Sequence, residues 1–163
     1  MATIDKVDRK IIDLLMQDGR MQAAEIARRL GDVTERVVRY RIENLVEKEI
    51  IRISAIVNPK KLGMEVVADV WLEVDAGAVL DVAHKLASYA SVSYVACSIG
   101  ETDLSLQVQA RDTTEVYRFV TEVIGRVPGV RKTRTSIVPL VIKDVFEWQV
   151  PSDAGEDETQ APV

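Results

Sequence analysis

Residues Ala23–Leu45 read AAEIARRLGDVTERVVRYRIENL, and this stretch decides the fold of the N-terminal part of the chain. Ala23 to Leu30 has the composition of a short helix, Gly31 marks a tight turn, and Thr34 is placed to cap a second helix by accepting from a free first-turn N–H. In that second helix Val38, Ile42 and Leu45 recur at i, i+4 and i+7 and must face a core. Glu35, Arg36, Arg39, Tyr40 and Glu43 are left on the open face. Such a face would suit any solvated helical hairpin. It also suits a helix lying in the major groove of B-DNA, where Arg donates two hydrogen bonds to a guanine edge and first-turn amides meet a phosphate.

Working outward, Ile11, Ile12, Leu14 and Leu15 mark a preceding amphipathic helix that Asp5 can cap, and a third helix is what closes the core of a helix-turn-helix. After Leu45 the run VEKEIIRISAIVNP clusters β-branched residues between Ile50 and Val57 and stops at Pro59, which predicts a strand or short wing. A winged helix-turn-helix over residues 1–60 is the expected N-terminal domain. Its candidate DNA contacts are Thr34, Glu35, Arg36, Arg39, Tyr40 and Arg41, with Arg41 nearest the buried stripe. Arg28, Arg29, Lys60 and Lys61 extend the basic stripe. The whole chain carries a formal net charge of -5, so any attraction to DNA must be local rather than spread over the surface.

Between Gly63 and Trp148 the period changes. Val66, Ala68, Val70, Leu72 and Val74 alternate as one face of a strand, and Val79, Val82, Ala83 and Leu86 follow at helical spacing. A strand from Val92 to Ile99 comes next, then LSLQVQA, then a helix burying Val116, Phe119, Val120, Val123, Ile124 and Val127. Asp112 and Glu115 have capping-box spacing at its start. The turn PGV at Pro128–Val130 leads into a last strand in which Pro139 implies an edge or a bulge. The order βαββαβ predicts a ferredoxin-like domain over residues 61–150, with two helices on one face of an antiparallel sheet. The fold class is therefore α+β. Val67, Asp69, Trp71, Val95, Cys97, Ile99 and Gln107 are expected on the other sheet face, where a second copy of the chain or the N-terminal domain of the same chain would cover them. Residues 151–163, rich in Asp, Glu, Pro and small residues, are expected to form a disordered acidic tail.

Composition excludes several classes. No apolar run among the 163 residues is long enough to span a bilayer, and MATIDKVDRK lacks the apolar core of a signal peptide. The lone Cys97 excludes an intramolecular disulfide framework, which points to a cytoplasmic protein. There is no CxxC, HExxH, Gly-x-Ser-x-Gly or phosphate-cradling glycine loop, and the single histidine, His84, sits on the polar side of a helix. Neither a metal nor a cofactor is expected.

Six motifs in order carry a resemblance: DKVDRKIIDLLMQDGR, EIARRLG, VRYRIENLVEKEIIR, NPKKLG, GETDLSL and PGVRKTRT. From Asp5 to Trp148 the chain resembles the Lrp/AsnC, or feast/famine, regulators, departing from them in GDVTERV, which is one residue longer than the usual turn and lacks its Pro. The resemblance implies a sequence-specific, DNA-binding transcription regulator with a C-terminal RAM/ACT-like effector domain. It implies that the partners are double-stranded DNA, a small effector, often an amino acid, and further copies of the chain, as a homodimer assembling to an octamer. The effector pocket would involve the loop SIGETDLSL, where Gly100 lets a ligand approach the backbone and Asp103 can pair with an ammonium group. By alignment Thr114 and Ser136 fall near it. Two other readings share this architecture: a sirohaem-decarboxylase-like enzyme, which would be expected to use histidine and a basic surface, and a DNA-organising protein of little sequence specificity.

Overall fold

A computed structural model describes residues 4–148 and 150–151, so almost all of the expected tail lies outside the described residues. The chain forms two compact units: Met1–Ile56 together with Lys143–Val163, and Val57–Ile142. The C-terminal segment thus groups with the helical unit, where the sequence pattern predicts a second domain over residues 61–150.

The helical unit contains α1 (Lys6–Gln17), α2 (Ala23–Leu30) and α3 (Glu35–Glu47). Asp5 caps α1 through a reciprocal capping box with Asp8, accepting from the Val7 and Asp8 amides at 2.8 Å each. α2 ends on Gly31, whose φ of 82° is one that a side chain resists and a glycine adopts freely. Ile11, Ile12 and Leu15 of α1, Ile26 of α2, and Val38 and Leu45 of α3 meet with Ile4 in one buried cluster, against which Ile42 packs. Each fully buried side chain of this size contributes roughly 1.5–3 kcal/mol.

The expected wing strand does not form: no strand is present before Val66 among the described residues. Ile50 and Ile51 donate to the Leu45 carbonyl, but within the described residues no backbone bond involves residues 52–57. β-branched composition makes a strand possible, yet a ladder needs a partner. None is offered inside the helical unit.

The second unit has the order β1 (Val66–Val74), α4 (Val79–Ala87), β2 (Val92–Cys97), β3 (Leu104–Ala110), α5 (Thr113–Arg118) and β4 (Val130–Val138). Its antiparallel sheet runs β2-β3-β1-β4, so β4 lies at an edge and ends just before Pro139. Ala68, Val70, Leu72 and Val74 of β1 stack beside Leu104, Leu106, Val108 and Ala110 of β3, and α4 and α5 cover them. Asp112 caps α5 by accepting from the Glu115 amide at 2.8 Å, while the Glu115 carboxylate reaches past it to the Arg111 amide at 2.7 Å. The expected single helix after β3 continues beyond α5 through a wide π turn, Phe119–Val123, and a 3-10 turn, Ile124–Arg126, keeping Val116, Val120 and Ile124 inward. Gly129 is required in the turn into β4: its φ is 94°, and a Cβ there would lie 2.6 Å from that of Ala78.

The open sheet face needs a correction. Val95 pairs with Leu106 and Cys97 with Leu104, so both point to the helix side, because an irregularity between Val92 and Tyr94 resets the register. Tyr94 and Ala96 take their place on that face, beside Gln107 and Ser105 and one strand away from Trp71. The face is also more polar than expected: Gln107 donates to Asp69 at 3.2 Å, Gln109 donates to Gln107 and Ser93 at 3.3 Å, and Lys132 bonds Glu73 at 3.0 Å. Gln109 Oε1 is buried there without a partner among the described residues.

Candidate nucleic-acid interface and effector loop

The α2–α3 connection spans residues 31–34, and Thr34 caps α3 with a long 3.4 Å bond from the Val37 amide to its hydroxyl. With Val38 and Leu45 buried, helical geometry turns Arg36, Arg39, Tyr40 and Glu43 to solvent. Tyr40 remains 64% exposed. These side chains differ in what already holds them. Arg39 Nη2 donates to Glu35 Oε1 at 2.6 Å, one turn away. Among the described residues Arg36 makes no ion pair, and neither do Lys60, Lys61 or Arg52.

Arg41 is engaged elsewhere. Its Nη1 donates to Asp5 Oδ2 at 2.6 Å and Asp8 Oδ1 at 2.8 Å, so the guanidinium ties α3 to the start of α1. The side chain is 27% exposed. Burial pushes the Asp5 carboxyl up, but the bonds from the Asp8 amide, the Arg41 guanidinium and the Val7 amide outweigh it and hold the group below its ordinary value. Arg41 therefore braces the unit, and two of its candidate DNA-contacting bonds are already committed to α1. Arg28 and Arg29 are likewise occupied, both on Glu25 at 2.7 Å, which depresses that carboxyl to about 2. Arg52, five positions past the end of α3 and exposed, is a further cation without an ion pair among the described residues that the sequence pattern did not single out.

In the second unit the β2–β3 loop carries Gly100 and Asp103. Gly100 has φ 149°, with open space around a would-be Cβ, so conformation rather than crowding favours glycine. Asp103 is tied into the sheet: its amide donates to Leu72 O at 2.9 Å, its carbonyl accepts from the Ser98 amide at 2.9 Å, and Oδ2 accepts from the Val74 amide at 2.7 Å. Arg131 Nη2 approaches Oδ2 at 4.0 Å. Ser136 pairs with Asp69 on the open face. Thr114 stands apart, in the first turn of α5 beside a shallow hollow of about 630 Å³ lined by Arg111, Glu115 and Arg118. Asp103 precedes the seven residues of β3 and Thr114 follows them, a separation of roughly 20 Å along one strand. One chain does not bring the four effector candidates together.

No group of histidine, cysteine or carboxylate side chains among the described residues has a metal-binding arrangement, and no described helix is long and apolar enough to cross a membrane. A helix-turn-helix with an exposed arginine-bearing second helix, joined to an α+β unit of this topology, defines a DNA-binding regulator with an attached sensory domain. Residues 4–46 match the AsnC-type helix-turn-helix domain, and residues 67–146 match the Lrp/AsnC ligand binding domain. An uncharacterized HTH-type transcriptional regulator of Pyrococcus abyssi is 38% identical over 86% of this chain and 89% of its own length. The HTH-type transcriptional regulator FL11 of the same organism is 34% identical over 91% of this chain and 98% of its own. The solved complex of the transcriptional regulator NMB0573 from Neisseria meningitidis with L-Met superposes with a TM-score of 0.81 at 25% identity, covering 87% of this chain and 94% of that one. The chain belongs to the Lrp/AsnC family of transcriptional regulators, a family of DNA-binding proteins and not of enzymes.

Proposed function

We propose that this regulator is sequence-specific, that Arg36 with Arg39 and Tyr40 reads base edges, and that an amino acid bound by the second unit alters the assembly that presents α3. The observation that carries the DNA part is Arg36, exposed on the outer face of α3 with no ion pair among the described residues, so its donors are uncommitted. Arg39 must first release Glu35. The amino-acid effector is supported by the family's ligand-binding domain and by the L-Met complex of NMB0573. Gly100 and Asp103 are its proposed anchors, with Thr114 and Ser136 contributed where copies meet, since β3 separates Thr114 from the loop within one chain.

Self-association is supported by two features. Residues 52–57 lack ladder partners among the described residues while Ile53, Ile56 and Val57 stay exposed, and the open sheet face holds Trp71 and Tyr94 beside an unpartnered Gln109 acceptor. A homodimer covers both, and further assembly to an octamer would complete the effector pocket. The cytoplasm, where its DNA target lies, is the proposed location.

Selecting duplexes from a random pool tests specificity: enrichment of one palindromic element supports it, and uniform recovery indicates a DNA-organising protein instead. Thermal shift with single amino acids then tests the effector, because a ligand that binds only the native state must raise its stability. If no amino acid shifts the transition, that part of the proposal fails.

A further inference from the structure

The C-terminal segment is used by neither the DNA interface nor the effector loop. Lys143 onward groups with the helical unit, and Asp144 begins a short 3-10 turn, Val145–Glu147, closed by its own capping box. Phe146, Glu147 and Val150 line one hollow with Asp13, Met16 and Gln17 of α1. Val150 packs against the helical core, and Arg9 donates to the Pro151 carbonyl. Arg9, Asp13, Met16 and Gln17 are spaced i, i+4, i+7 and i+8, a single stripe of α1. The segment therefore runs along that stripe against the direction of the helix. On its other side Val145, Phe146 and Trp148 border a groove of about 830 Å³ that also takes in Ile12, Leu15, Ile53 and Ile56.

Two facts make this contact a device rather than simple packing. Phe146 and Trp148 each keep 57% of their surface exposed, so the segment is held lightly and can leave at modest cost. It is also joined to β4 by only Pro139–Ile142, four residues that reach about 14 Å at most, with φ fixed at the proline.

We propose that Lys143–Pro151 is a detachable strap that braces α1, so that DNA affinity depends on whether the strap is seated. This relies on the family's DNA binding and is independent of the effector reading, because its test adds no effector.

The test uses the full chain and a duplex recovered from the random pool. In Phe146→Ala/Trp148→Ala, hydrogen exchange in α1 should accelerate about tenfold while β1 and β3 stay protected, and duplex affinity should fall about threefold or more. Unchanged α1 exchange, or equal acceleration in the sheet, overturns the proposal. A second variant guards against simple misfolding: Met16→Cys/Phe146→Cys in a Cys97→Ser background should oxidise to an intrachain disulfide. Its reduced and oxidised forms should differ in duplex affinity. Crosslinking between chains, absence of crosslinking, or equal affinity of the two forms overturns it.

Discussion

The helical unit and the sheet unit are stabilised in different ways. Among the described residues the helical core is a single cluster of seven buried apolar side chains, whereas the sheet core buries fifteen. A core that small leaves a domain marginal. The helical unit compensates with groups at its surface: the Asp5–Asp8 capping box, the Thr34 cap, and Arg41 bridging two carboxylates of the α1 terminus. The sheet unit has polar contacts of its own, among them the Asp112 cap and the Lys132–Glu73 pair, but β1 and β3 are also buried on their helix-facing side from end to end. The helical unit, which carries the DNA-binding motif, is thus the one with the smaller apolar core.

Core truncations give the largest effects and can break this comparison outright. Leu106→Ala should lower the sheet unit's stability by about 2–5 kcal/mol, and Ile26→Ala, which removes the only buried side chain of α2, should cost the helical unit a similar amount. Calorimetry should show each change in its own transition, with duplex binding lost only in the Ile26 variant. If both transitions fall together in either variant, the two units fold as one and the contrast is void.

The DNA face comes next. Arg36→Ala should weaken binding of the selected duplex by about 1–3 kcal/mol, and Arg39→Ala by less, because Arg39 must exchange Glu35 for DNA. Gel shifts at fixed salt decide it. Equal affinity of wild type and the Arg36 variant would remove this face of α3 from the interface.

Arg41→Ala should act on stability and not on base recognition, lowering the helical transition by about 1–2 kcal/mol. A double-mutant cycle with Asp8→Ala measures the coupling; a value near zero would mean that the bridge is not formed in solution.

The smallest effect is on acid stability. The Asp5 and Glu25 carboxyls are both held below their ordinary values in the folded chain, so between the folded and unfolded values the unfolded chain binds more protons. Their contribution is full above the ordinary carboxylate range and is lost as pH falls, for Glu25 through about 2. Acid unfolding followed by circular dichroism should show the helical transition moving first, and Asp5→Asn should flatten that dependence. A pH dependence identical in the variant would mean that Asp5 titrates alike in both states.

Much of this was legible because it is local. The 3.6 and 2.0 periods of Val38, Ile42 and Leu45 and of Val66 to Val74 place helices and strands without any knowledge of neighbours. The caps at Asp5, Thr34 and Asp112 are fixed by residues within three positions. Two expectations differ from the structure, each for its own reason. Val95 and Cys97 were put on the wrong sheet face because an irregularity in β2 changes parity, and Ile50–Val57 was read as a strand because composition does not say whether a partner strand is present.

The sequence by itself determined the element order, the buried stripes, the family motifs and the candidate DNA-facing side chains Arg36, Arg39 and Tyr40. Only the tertiary structure decided which charges are free. Arg41 finds Asp5 and Asp8 across 36 and 33 positions of chain, and residues 143–151 join α1 although more than 120 positions separate Gln17 from Lys143. Periodicity is set within a few residues by backbone geometry, whereas ion pairs and docked segments depend on which surfaces the whole fold brings within a few ångströms.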